Sequence, residues 1–260
     1  KYGPAHLYID CTFKCVPKDF EQCLVIMIFD KSTSIYVPIF YVLMSKKSEN
    51  AYFHAIQQCI SASDWKLEAL TVTCDFEKAL ITTIKNQFPK APIVGCEFHW
   101  KQANRRKLIA LSVPKDIIST LIDKNGVFNI LTVVSVDEIE TKIVPYVRSV
   151  IEEGEYDKHF DAFWKYFMKT WMVLYDPAYW NVNAVVHADA AESLLQNRTN
   201  NPLERFNRKF NDAFASAHPN VPQFVETIKR LSQEVKTWTM LKQDVPADHR
   251  LICLSRSSVF

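Results

Sequence analysis

Apolar residues recur at a spacing of two, or run almost unbroken, in five short stretches of the first hundred residues. Each reads as a β-strand. The first, 5–10, ends in an acid, Asp10. The second, 20–29, is apolar nearly throughout, and the third, 35–43, is rich in β-branched and aromatic side chains. The fourth, 70–74, alternates Val72 and Cys74 with Thr71 and Thr73, and again leads into an acid, Asp75. The fifth, 93–96, is short. Spacings of three and four between these strands mark helices. One opens at Ser48-Glu49-Asn50 and runs to about residue 61, with Tyr52, Ile56 and Ile60 on one face. A second follows Asp75 and runs to Phe88, where Pro89 and Pro92 break it. A third, 99–111, is basic and carries Lys101, Arg105, Arg106 and Lys107.

Short links join the first three strands, which favours an antiparallel meander. The order β-β-β-α-β-α-β-α is that of the ribonuclease H-like (RNase H-like) fold. The expected architecture is therefore α/β, a mixed five-stranded sheet of order 3-2-1-4-5 flanked by helices. In that order the fourth strand lies beside the first. Asp10 and Asp75 would then face each other across one strand spacing of about 4.8 Å. Taken alone, Asp75 reads better as a helix cap, and the strand order overturns that reading.

From Val113 onward strand periods give way to helix periods, over 114–121, 136–152 and 156–175. The last of these is heavily aromatic, with Phe160, Phe163, Trp164, Tyr166, Phe167 and Trp171. The helical region is expected to end near Leu195, and its apolar content is too high for a linker. In the stretch 197–207, Asn201, Pro202 and Glu204 fit N-cap, N1 and N3 of a capped helix. Leu203, Phe206, Phe210 and Phe214 line one side of it, and Arg205, Arg208 and Lys209 lie away from that row. A final helix is expected over 221–242. The predicted organisation is thus a core in two parts, 1–112 and 196–245, an all-α insertion over 113–195, and a tail, 246–260.

Composition narrows this picture only a little. A chain of 260 residues, 48% apolar, is long enough for a sizeable core. A formal charge of +2 says nothing decisive about partners. No run reaches the roughly 18 apolar residues of a membrane span, so no membrane partner is expected. Seven scattered cysteines without a CxxC pair fit reduced intracellular thiols, not a disulfide framework or a zinc ribbon. The first residue is not Met and no leader pattern follows it, so the sequence is expected to be a piece of a longer protein.

Three carboxylates brought to one sheet edge repel one another, and a hard divalent cation relieves that. Mg²⁺ or Mn²⁺ takes oxygen ligands from one or two such acids. A pair of ions can activate a water or hydroxyl and stabilise the leaving oxygen of a phosphodiester. Asp10 is placed to bridge two ions, with Asp75 and Glu204 completing one side each. A purely structural trio would instead need cations such as Lys14 or Lys78 nearby.

Four segments in order carry a family resemblance: Ile9-Asp10-Cys11-Thr12-Phe13-Lys14, Asp75-Phe76-Glu77-Lys78-Ala79, Gly95-Cys96-Glu97-Phe98-His99, and the stretch from Thr199 through Asn207 containing Glu204. Together they resemble Mutator-like (MULE) transposases, with a helical insertion before the last acid. The resemblance implies a DDE-type core that nicks and joins DNA by metal-assisted transesterification, with Asp10, Asp75 and Glu204 as the catalytic acids and Mg²⁺ or Mn²⁺ as cofactor. Cys96 and His99 match the family's C-x2-H signature. His99 is a candidate to contact the scissile phosphate or orient an acid, against a packing role at a helix start. The implied partners are double-stranded DNA, both transposon terminal inverted repeats and target, and a second copy of the chain. The implied location is the nucleus.

Phosphate contacts are expected from Lys101, Arg105, Arg106, Lys107, Arg205, Arg208 and Lys209, although any one of these suits a solvated helix face. Trp164, Trp171 and Trp180 offer rings to a flipped base, although helical spacing favours the core. The competing function is a domesticated relative that binds DNA or chromatin as a transcription regulator without catalysis. A stand-alone nuclease on the same fold is a third class, which the insertion disfavours.

Overall fold

The computed structural model describes residues 4–30, 32–123, 125–151, 157–183, 201–242 and 250–253. The chain divides into two compact units, residues 1–93 with 200–260, and residues 94–199.

The first unit is built on the sheet. Strands β1 (Ala5–Thr12), β2 (Gln22–Asp30) and β3 (Ile35–Met44) form the antiparallel meander. Strand β4 (Ala69–Cys74) lies parallel to β1 on its other side. The sheet has the order β5-β4-β1-β2-β3-β6, where β5 is Ile93–Gly95 and β6 is Arg250–Cys253. The expected mixed sheet with flanking helices is present, and it has six strands where five were expected. The extra strand, β6, falls in the segment read as a tail and pairs parallel to β3.

Alternation along the strands gives the sheet two apolar faces. Tyr8, Val25, Met27, Tyr41 and Leu43 belong to one buried cluster with Leu203, Phe210, Phe224, Ile228 and Leu231. Those last five come from α7 (Asn201–Asp212) and α8 (Val221–Lys242), which therefore cover this face. Between β3 and α7 the chain contributes α1 (Glu49–Ala62) and α2 (Lys78–Gln87) to this unit, which pack on each other and against β3 and β4.

Helix α1 starts where the sequence indicates. Ser48 is extended at the N-cap and accepts a bond from the Ala51 amide at 3.3 Å, with Glu49 in the first turn. Ser48→Ala is expected to lower stability by about 1 kcal/mol, read by urea unfolding. Helix α7 begins at Asn201 itself, one residue earlier than the capping pattern suggests.

The second unit is helical. It contains α3 (Glu97–Ala110), α4 (Lys115–Ile122), α5 (Val144–Ile151) and α6 (Asp157–Phe167). Wide i→i+5 turns over Ile139–Ile143 and Met168–Leu174 adjoin α5 and α6. Its core is aromatic. Trp100 of α3 stacks on Trp180 at 5.6 Å, and Phe128 stacks on Phe163 at 5.3 Å. Asn104, fully buried, accepts from the Trp171 indole at 3.0 Å and donates to the Trp100 carbonyl at 2.9 Å. Trp164, Trp171 and Trp180 are all buried. They are core residues, and the suggestion that they stack on a base is not supported. No single helix among the described residues is long and apolar enough to cross a membrane. The end of the expected helical region, 184–195, and residues 197–200 of the last motif lie outside the described residues.

Candidate active site at the ends of the central strands

The parallel register of β1 and β4 pairs Tyr8 with Thr73 and Ile9 with Cys74. One step further brings Asp10 opposite Asp75. Tyr8 belongs to the cluster that packs against α7 and α8, so Asp10, two residues on, shares that face. Asp10 is 8% exposed, and Asp75 is half-buried just past the end of β4. The carboxylates are fixed locally. Asp10 Oδ1 accepts from the Cys11 amide at 2.8 Å, and Asp75 Oδ1 accepts from the Phe76 amide at 2.6 Å.

Helix α7 brings the third acid to the same face. Leu203 and Phe210 are buried, and the Phe210 ring lies 5.7 Å from Tyr41 of β3 and 5.9 Å from Phe224 of α8. This apolar row sets the rotation of the helix. A polar row, Glu204, Asn207 and Asn211, recurs at the same helical spacing beside it. Asn207 Nδ2 donates to Asp10 Oδ2 at 2.9 Å, and Thr12 Oγ1 donates to Asn211 Oδ1 at 3.1 Å. Two hydrogen bonds therefore dock the polar row of α7 onto the last turn of β1. Glu204 sits one helical turn before Asn207 on that row. With Lys14, Asn207, Arg208 and Asn211 it lines a cleft of about 480 Å³.

A second polar network lies on the α1 side of β1. Gln22 Nε2 donates to the Tyr52 hydroxyl at 2.9 Å, and that hydroxyl donates to Glu77 Oε2 at 2.8 Å. The Cys11 thiol is 3.7 Å from the same hydroxyl. Burial pushes the Glu77 carboxyl above its ordinary range. The Tyr52 bond and the charge of Lys47 pull it back, and the charge of Asp75 adds to the rise. Burial, followed by the charge of Asp10, pushes the Cys11 thiol well up, so it is held as a thiol. Cys11, Cys15, Cys23, Cys59, Cys74 and Cys96 are free thiols.

The other expected site residues are distributed as follows. Cys96, fully buried, stands at the N-cap of α3, and His99 lies in the first turn of that helix; both belong to the second unit. In that unit Lys101 pairs with Glu97, Arg105 pairs with Asp123, and Lys107 lies over the Tyr166 ring. Arg106 is exposed. In the first unit Lys209 pairs with Glu234 of α8, and Arg205 and Arg208 are exposed on α7. Asn207, Tyr52 and Glu77 are additions to the set. The sequence signal for Asn207 was its position three residues after Glu204, which puts both on one helical face.

The donors gathered on this face of the sheet are carboxylate and amide oxygens, which suit a hard divalent cation. The buried Asn207 Oδ1 has no hydrogen-bond partner among the described residues, which leaves an oxygen beside Asp10 able to accept from a bound group. No curated protein matches the chain. The family model described as the MULE transposase domain matches residues 6–103, a span that includes Asp10, Asp75, Cys96 and His99 and stops short of Glu204. Over that stretch the chain is similar to Mutator-like transposases.

Proposed function

We propose that this chain is the catalytic core of a Mutator-like DNA transposase, a DDE-type core on an RNase H-like sheet, and that it cuts and rejoins DNA strands in a metal-dependent reaction. The observation that carries the reading is the β1–β4 register. It brings Asp10 and Asp75 to neighbouring strand ends, on the face where Asn207 ties α7, and with it Glu204, to Asp10. Asp10, Asp75 and Glu204 would hold Mg²⁺ or Mn²⁺. When bound, such ions activate a water or a DNA 3′-hydroxyl and offset charge on the leaving oxygen.

The chain's own residues supply placement. The Cys11 amide and the Asn207 amide orient the Asp10 carboxylate, one donor on each oxygen. The Phe76 amide orients the Asp75 carboxylate. Lys14 and Arg208, on the cleft wall, are positioned to neutralise phosphates beside the acids. Arg205, Arg106 and the paired Lys101, Arg105 and Lys209 are secondary candidates for the same role. His99 and Cys96 keep their proposed place in the family's C-x2-H signature. The proposed partners are terminal-repeat and target DNA and a second copy of the chain, and the proposed location is the nucleus.

Nicking and strand transfer of terminal-repeat DNA with Mn²⁺ test the reading, with Asp75→Asn as comparison. Loss of activity in the variant supports it. Equal activity of the two proteins contradicts it, and DNA binding without metal binding by the wild type would point to a regulatory relative. Arg208→Ala is expected to weaken DNA binding uniformly across sequences. It should also reduce the slope of log affinity against log salt by about 1. Binding titrations at several salt concentrations measure this, and an unchanged slope would remove Arg208 from the interface.

A further inference from the structure

We infer that Asn207 is the positioning residue of this site, retained for its grip on Asp10 and not for stability; this rests on the proposed metal-dependent reading. The amide of Asn207 reaches from α7 to β1 and donates through Nδ2 to Asp10 Oδ2 at 2.9 Å. The opposite oxygen of Asp10 is taken by the Cys11 amide at 2.8 Å. With one donor on each oxygen, the plane of the carboxylate is set before any cation arrives. An amide is suited to this task. It is neutral at every pH, so it adds no charge to a site that already carries three acids, and it presents a donor where aspartate would present a fourth acceptor.

The grip has a cost in the same side chain. Turning Nδ2 toward Asp10 points Oδ1 the other way, where it is buried and finds no partner among the described residues. A buried acceptor without a donor is destabilising. A residue selected only for packing at this position of α7 would be apolar, continuing the row of Leu203, Phe206 and Phe210. The neighbouring Thr12–Asn211 bond already ties α7 to β1, so docking of the helix does not depend on Asn207. Groups that orient a metal ligand through a hydrogen bond are worth about 10–100-fold in metal affinity.

The experiment compares wild type, Asn207→Leu and Asn207→Asp by Mn²⁺ titration, followed by electron paramagnetic resonance, and by thermal unfolding without metal. Asn207→Leu keeps the size of the side chain and removes both its donor and its orphaned acceptor. It is expected to bind Mn²⁺ about 10–100-fold more weakly while its metal-free Tm changes little, because removal of the orphaned Oδ1 offsets the donor lost to Asp10 Oδ2. Asn207→Asp, which sets a carboxylate against Asp10, is expected to lower the metal-free Tm, and Mn²⁺ should restore part of that loss. Wild-type affinity in Asn207→Leu would overturn the inference and leave the metal-site reading intact. A clear fall in its metal-free Tm would also overturn it, by making Asn207 a structural residue. If the wild type itself binds no Mn²⁺, while Asp10→Asn and Asp75→Asn behave identically to it, the functional reading falls and this inference falls with it.

Discussion

Asp10→Asn is expected to lower Mn²⁺-dependent cleavage of terminal-repeat DNA at least about a thousandfold, roughly 4 kcal/mol of barrier. The substitution removes the charge and turns one acceptor into a donor, which Asn207 can meet by presenting its Oδ1 in place of Nδ2. The new side chain still accepts from Cys11, and its size fits the same 8%-exposed position. What it removes is one of two negative groups at adjacent strand ends. The same change is expected to raise, not lower, the metal-free Tm, because a largely buried carboxylate beside Asp75 is costly without its cation. A nicking assay and a thermal melt on one preparation check both signs. Lost activity with unchanged or higher stability identifies a functional acid. Lost activity with a large drop in Tm would mean that Asp10 serves the fold.

The second large effect concerns what holds the third acid. Phe210→Ala is expected to destabilise the protein by about 3–5 kcal/mol, measured by urea unfolding. Phe210 is fully buried and touches four rings: Tyr41 at 5.7 Å, Phe206 at 5.6 Å, Phe214 at 5.1 Å and Phe224 at 5.9 Å. Among the described residues no other ring lies among sheet, α7 and α8 in this way. The row it belongs to sets the rotation of α7, so the variant is also expected to bind Mn²⁺ more weakly under conditions where it remains folded. A cost below about 1 kcal/mol, the range of a surface substitution, would show that α7 is held by something other than its aromatic row.

Much of this was legible in the residues. The strands β1 to β5 announced themselves by period and by the acids that end β1 and β4, and the short links forced the meander. Strand β6 was not legible. It is four residues long, and its partner β3 lies some two hundred positions earlier, so only the folded edge of the sheet selects it. The wide turns adjoining α5 and α6 were missed for a related reason. A shift from i→i+4 to i→i+5 bonding leaves the helical apolar period nearly intact.

At the site, the acids could be found because charge at a strand end stands out from an apolar pattern. Asn207 could not be ranked in the same way. An amide in a helix is unremarkable until the register of β1 brings Asp10 beneath it. The Gln22–Tyr52–Glu77 chain was hidden more completely, since its members come from β2, α1 and the turn before α2, and none of the three pairs is close in sequence. For Trp164, Trp171 and Trp180 helical spacing favoured the core over a stacking role, and burial agrees with the core.

The most direct test of the central claim is an anomalous difference map from crystals soaked in Mn²⁺. Density bound by carboxylate oxygens of both Asp10 and Asp75 is expected, at a coordination distance of about 2 Å. Manganese bound elsewhere, with none at this pair of acids, would contradict it.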